Sequence, residues 1–155
     1  MEEANCAIGM AITFGELDAG IARLLARVQN ELFDVGADLA NPVSDTPPLY
    51  PPLRIDEACT TRLEGECDSY NAGLPTLGSF LLPGGNPGAT LLHVARTVTR
   101  RAERSAWAAA GEHGDSMSPL PARYLNRLSD LLFILARQAN QGHDDVPWKP
   151  GGERG

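Results

Sequence analysis

Leu24, Leu25, Val28, Leu32 and Val35 recur at spacings of three and four, the period of one helix face, and predict a helix over about Ile21–Asp38. A run of helix formers from about Glu3 to Phe14 predicts one before it, with Gly15 and Gly20 weakening the continuation. Asn41-Pro42 and the run Pro47-Pro48-Leu49-Tyr50-Pro51-Pro52 cannot be helical and read as a crossover loop. A third helix is predicted over about Asp56–Tyr70, with Asp56 as its N-cap. Asn86-Pro87 is a strong start signal, a capping side chain followed by proline in the first turn. The helix it opens is predicted to reach about Ala110 and to end at Gly111. Pro119 and Pro121 mark the start of a fifth, which ends near Asn140. No convincing strand pair and no internal repeat is visible. The pattern is all-α, a helical bundle with one or two long connections. Residues 1–140 read as one helical-bundle domain, and residues 141–155 as an irregular tail rich in Gly, Pro and charge.

Composition narrows the function more than the fold. The 155 residues suit a single domain, and a hydrophobic fraction of 43% can bury a real core. The net charge of -7 opposes broad binding to nucleic acid or anionic membrane. Cys6, Cys59 and Cys67 are an odd number with no paired spacing, which reads as a reduced, cytoplasmic protein. They do not cluster with His93, His113 or His143, so a zinc site is not expected. No apolar run approaches the ~20 residues that cross a bilayer. No basic leader followed by an apolar stretch opens the chain, so no signal peptide is expected.

Against that acidic background, Arg96, Arg100, Arg101 and Arg104 fall within nine residues, with Glu103 among them. On a wheel of about 100° per residue, Leu91, Val94, Ala95, Val98, Ala102, Ala106 and Ala109 form a core arc. His93, Arg96, Arg100 and Glu103 share another arc, and Arg101 and Arg104 lie further round with Thr97, in more solvated positions. Guanidinium forks are permanently charged and bind phosphate or carboxylate oxygens in pairs, so two of them one turn apart could span adjacent phosphates. Glu103 could hold one fork in place or accept a hydrogen bond from a ligand. The plainer reading of the same residues is a solvated helix face with weak surface pairs.

The fifth helix bears on that choice. Leu128, Leu131, Leu132 and Leu135 form its core arc, whereas Asn126, Asp130, Phe133 and Arg137 share an arc of their own. Polar groups on a largely buried helix need partners, because each unpaired one costs about 1–3 kcal/mol. An interhelical polar network would supply them, and so would a pocket wall shared with the arginine helix. Pro83-Gly84-Gly85-Asn86-Pro87 is not a P-loop, because it lacks the motif and the preceding strand. His93 reads as structural. No Ser/His/Asp arrangement is visible, so an enzyme built this way would position a substrate's own reactive group.

Four segments then carry a resemblance: Gln29–Leu39 (QNELFDVGADL), Phe80–Gly85 (FLLPGG), Leu92–Arg104 (LHVARTVTRRAER) and Tyr124–Phe133 (YLNRLSDLLF). In this order, and spread over nearly the whole chain, they resemble the ATP:cob(I)alamin adenosyltransferases of the propanediol-utilisation type. That family also includes the mitochondrial enzyme linked to methylmalonic aciduria, and its mycobacterial and actinobacterial members look especially similar.

The resemblance implies a homotrimer of five-helix bundles with active sites between subunits. It implies transfer of the 5′-deoxyadenosyl group of ATP to the cobalt of cobalamin, with Mg2+ present and triphosphate released. By resemblance, Arg100, Glu103 and Asn126 are ATP-site residues, and Arg96 pairs across the interface with an acid near the start of the first helix, here Glu2. Phe80 would occupy cobalt's lower face and exclude the dimethylbenzimidazole ligand, easing reduction of cob(II)alamin, and Phe133 would stand on the apolar corrin wall. Cob(I)alamin is itself a strong nucleophile, so the protein's tasks are alignment and stabilisation of the departing triphosphate, and Arg96, Arg100 and Phe80 are the candidate catalytic residues. A reductase and a downstream adenosylcobalamin-dependent mutase are the implied partners.

The sequence also departs from the family pattern. A Thr-Gly-Asp-x-Gly-Thr-Thr-type loop that wraps the ATP phosphates is missing, and Glu2 stands where Asp is usual. These departures imply weak ATP binding and impaired turnover in a retained trimer fold. A non-catalytic cobalamin binder or chaperone, and a plain helical oligomer whose arginines only build an interface, are the rival readings.

Overall fold

The computed structural model describes residues 1–43, 49–141 and 145–153. Pro47 and Pro48 of the predicted crossover, and His143, lie outside the described residues. The five predicted helices are present: α1 (Glu2–Phe14), α2 (Ala19–Ala40), α3 (Glu57–Asn71), α4 (Pro87–His113) and α5 (Leu120–Ala139). Single 3-10 turns follow at Gly114–Ser116 and Gly151–Glu153.

Local chemistry sets most helix boundaries. The Cys59 N–H donates to Asp56 Oδ1 at 3.2 Å, and the Ala89 N–H to Asn86 Oδ1 at 2.8 Å, so both predicted caps satisfy first-turn donors. The α4 stop differs from the prediction. Gly111 continues the helix, which breaks at Gly114, where φ is 55°. A glycine inside a helix costs only about 1 kcal/mol, whereas positive φ cannot continue one.

α5 is the central helix. Leu125, Leu128, Leu131, Leu132 and Leu135 on it are fully buried. It packs against α4 and α3, α1 packs between α4 and α2, and contacts of α2 with α5 close the bundle. Having neighbours on two sides, α4 buries more than its apolar arc. Leu92, Ala95, Thr99, Glu103 and Ala106 are buried, whereas Val94, predicted for the core, is 46% exposed. The buried stripe is thus rotated towards the polar arc, because that arc faces α5.

Two features lock the bundle. At the entry to α4, Gly85 has φ 115°, and a Cβ there would lie 2.4 Å from Asn140 Oδ1, so only glycine fits. That Oδ1 accepts the Asn86 N–H at 3.1 Å, tying the start of α4 to the end of α5. Deeper in, the fully buried Tyr124 hydroxyl donates to Glu31 Oε2 at 2.7 Å. Arg62 and Arg27 approach the other Glu31 oxygen at 3.2 and 3.4 Å, joining α2, α3 and α5. Among the described residues no helix is long and apolar enough to cross a membrane.

Burial, and then the bond to Glu31, raise the Tyr124 phenol far above its ordinary 10.0. Burial pushes the Cys67 thiol from 9.0 up to about 11. Both groups hold their protons more tightly folded than unfolded, so stability should fall as pH rises from about 9 towards 11. Urea midpoints across that range should show the decline. Tyr124→Phe should cost about 1–3 kcal/mol at neutral pH and make the decline above pH 10 shallower.

Candidate active site

Glu103 is 5% exposed, and both of its carboxylate oxygens are engaged. Arg100 Nη1, one turn earlier on α4, donates to Oε2 at 2.5 Å. Asn126 Nδ2, across the helix interface on α5, donates to Oε1 at 2.9 Å. Ser129 completes the local set by donating its hydroxyl to the Asn126 carbonyl at 2.7 Å. A buried carboxylate requires such compensation, and here it comes from two helices. One terminal nitrogen of the Arg100 fork is thereby held on Glu103, while the side chain stays 43% exposed.

Beside this network a cleft of about 340 Å³ opens between α4 and α5, lined by Arg96, Arg100, Ser129, Asp130, Phe133 and Ile134. Its charged and apolar linings are juxtaposed. The Arg96 guanidinium carbon stands 5.9 Å from the centre of the Phe133 ring, a cation–π arrangement. The Arg96 Nε is buried with no hydrogen-bond partner among the described residues. Asp130 pairs with Arg127 at 2.8 Å. His93 is buried, with its ring centre 6.0 Å from that of Phe133 and its Nδ1 without a partner among the described residues. Burial holds the imidazole below its ordinary value, the Arg96 charge pushes the same way, and Asp145 opposes them. A neutral imidazole is therefore favoured next to the arginines.

The structure thus brings Arg96, Arg100, Glu103, Asn126 and Phe133 together. Arg101 and Arg104 stay outside the cleft: Arg101 pairs with Glu3 at 2.8 Å on the exposed surface, and Arg104 bonds the Arg100 carbonyl at 3.2 Å. Phe80 stands apart from the cleft lining, 81% exposed on the α3–α4 connection, with its ring against Trp148 at 6.4 Å between centres and 78° between planes. Glu2 is exposed and lines a different groove, between α1 and α2, with Cys6, Gln29 and Phe33. Within one chain it does not meet Arg96. Ser129 and Ile134 were not singled out from sequence, although Ser129 lies three residues after Asn126, the spacing that puts both on one face.

The cleft can bind an oxyanion against fixed guanidinium forks and an apolar ring against Phe133. No group of three or more His, Cys, Asp or Glu among the described residues could hold a metal ion.

Comparison with known proteins points the same way. A family model described as cobalamin adenosyltransferase matches residues 1–139. A corrinoid adenosyltransferase of Mycobacterium tuberculosis is 60% identical over 153 residues, spanning 99% of this chain and 78% of the relative. One from Bacillus subtilis is 38% identical over 154 residues, spanning 96% and 76%. Among solved structures, a variant PduO-type ATP:corrinoid adenosyltransferase from Lactobacillus reuteri, complexed with cobalamin and ATP, superposes with a TM-score of 0.84 at 32% identity. The match covers 96% of this chain and 82% of that one.

An anion that engages the forks should stabilise the folded protein by mass action. Inorganic tripolyphosphate should raise the thermal midpoint, less so at high salt. Arg100→Ala should abolish most of the rise. An equal rise in that variant would place the anion elsewhere.

Proposed function

The chain belongs to the cobalamin adenosyltransferase family, and on that premise we propose that it transfers the 5′-deoxyadenosyl group of ATP to cob(I)alamin, releasing triphosphate. The observation that carries this reading is the Glu103-centred network, which fixes an arginine fork beside a cleft lined by Phe133 and Ile134. The electron pair comes from cobalt(I). The bond from ribose C5′ to the triphosphate oxygen breaks as the cobalt–carbon bond forms, and the leaving group departs with its charge. No protein nucleophile or general base is required.

The protein's work is then positional and electrostatic. Arg100, held by Glu103, would bind phosphate oxygens, and Asn126 would keep Glu103 in register for that task. Removing one fixed charge-stabilising donor of this kind typically costs about 10²–10³ in turnover. Phe133 would present the apolar wall to the corrin, and Phe80, exposed on its loop, would stand at the lower face of cobalt. Mg2+ would enter with the triphosphate, since that ion is commonly held by substrate phosphates with few protein ligands.

We also infer a homotrimer with sites shared between subunits. Three observations support it. Phe33 is 77% exposed, Phe14 67% and Met10 49%, all on α1 and α2, more apolar surface than a lone bundle gains from. The groove carrying Glu2 and Phe33 has a volume of about 640 Å³. The Arg96 Nε lacks a partner among the described residues, which Glu2 of a neighbouring copy could supply. A reductase that delivers cob(I)alamin and a mutase that takes the product are the corresponding partners, in a reducing cytoplasm compatible with three free thiols.

Anaerobic incubation with cob(II)alamin, ATP, Mg2+ and an external reductant should yield the absorbance spectrum of adenosylcobalamin. An unchanged spectrum would contradict the assignment. Asn126→Ala should raise the KM for ATP by about tenfold or more while sedimentation still shows a trimer. A monomeric Asn126→Ala protein would instead mark the network as interface structure.

A further inference from the structure

The C-terminal end of α5 holds the last turn of α3 and the connection that leads from it to α4. Gln138 Nε2 donates to the Tyr70 carbonyl at 2.5 Å, and Asn86 Nδ2 donates to the Ala139 carbonyl. Arg137, which precedes Gln138 and Ala139 on α5, is 6% exposed. Its Nη2 donates to the Pro75 carbonyl at 2.7 Å and its Nε to Asp145 Oδ2 at 3.2 Å. One guanidinium therefore grips both the connection that carries Phe80 and the tail that carries Trp148.

Beyond the grip, those two segments run antiparallel for a short stretch. The Leu82 N–H donates to the Val146 carbonyl at 2.9 Å, and the Trp148 N–H to the Phe80 carbonyl at 2.7 Å. Leu81 and Pro147 form the bridge between them. Here, as in the 3-10 turn at Gly151–Glu153, the tail departs from the irregular chain predicted for it. Two backbone bonds on exposed residues would fray in water without an anchor, and Arg137 with Asp145 supplies it.

The position of this clasp relative to the cleft matters. Arg137 follows Phe133 by one helical turn, so both lie on the same stripe of α5. Asp145 is close enough for its charge to be felt at His93, which packs on Phe133. Through Arg137, the segments that carry the aromatic pair are thus anchored to the helix that carries Phe133.

We propose that Arg137 is a positioning residue for the cobalamin side of the site, clasping the Phe80 connection and the Trp148 tail together so that the two rings are held as a unit on the helix that carries Phe133. The proposal rests on the adenosyltransferase reading of the cleft. The fork geometry is essential to it. Lysine keeps the charge but places its donors on one compact ammonium, which cannot reproduce a planar two-sided grip.

The test uses the full chain and the variants Arg137→Lys and Asp145→Asn, with circular dichroism and thermal midpoint as controls for folding. In substrate-free protein, hydrogen exchange at the Leu82 and Trp148 amides should speed up about ten- to hundredfold in either variant. With cob(II)alamin and ATP, the fraction showing the four-coordinate signature should fall, and the KM for cobalamin should rise with the KM for ATP unchanged. Unaltered exchange in both variants would overturn the clasp. Faster exchange with an unaltered four-coordinate fraction and cobalamin KM would overturn its role in positioning. A wild-type protein that leaves the cobalamin spectrum unchanged would refute the parent reading and this role with it, whereas the exchange result would still report the clasp itself.

Discussion

The burial of one carboxylate governs the arrangement of the site. Glu103 sits at the α4–α5 interface, where an unpaired charge would be untenable. Its two oxygens are satisfied by Arg100 on the same helix and Asn126 on the next. The arrangement fixes the rotation of α4 against α5 and sets where the Arg100 fork points. The same rotation brings Arg96 over Phe133 and leaves Arg101 and Arg104 in solvent. A cluster of four arginines is thereby sorted into two that line the cleft and two that do not.

The rest of the bundle holds that interface steady. Leucines of α5 fill the centre, and the Tyr124–Glu31 bond with its two arginines ties α2 and α3 to the same helix. At the far end of α5, Asn140 and Arg137 take up the ends of the α3–α4 connection. Polar groups at both ends of one buried helix thus serve different tasks. Near its start they hold Glu103 beside the cleft, and near its end they hold the segments that carry Phe80 and Trp148.

Much of this was legible in the sequence. Two of the helix caps, Asp56 and Asn86, act through their side chains where the local pattern placed them, because capping depends on nearest neighbours. The polar stripe Asn126, Asp130, Phe133, Arg137 was visible as a period, and its need for partners followed from burial. What those partners are depends on tertiary contact, which periodicity does not encode. The wheel put Val94 in the core and left Glu103 on a polar arc, since a single-face pattern does not represent a helix with neighbours on two sides. Gly111 looked like a stop because composition does not reveal which glycine adopts positive φ. Asp145 carried no local signal, and its link to Arg137 appears only when the tail returns to the end of α5. The roles of Glu2 and Phe80 came from family resemblance, and the single chain leaves both exposed, away from the cleft lining.

In the proposed mechanism Glu103 acts through Arg100, by holding its fork where a nucleotide's phosphates would bind. A double-mutant cycle on ATP affinity tests this directly, using Arg100→Ala, Glu103→Gln and the pair. The account predicts strong non-additivity: each single change weakens binding by about ten- to hundredfold, and the double variant is little worse than either. Additive losses would contradict it, because they would mean that the two side chains act on the nucleotide independently.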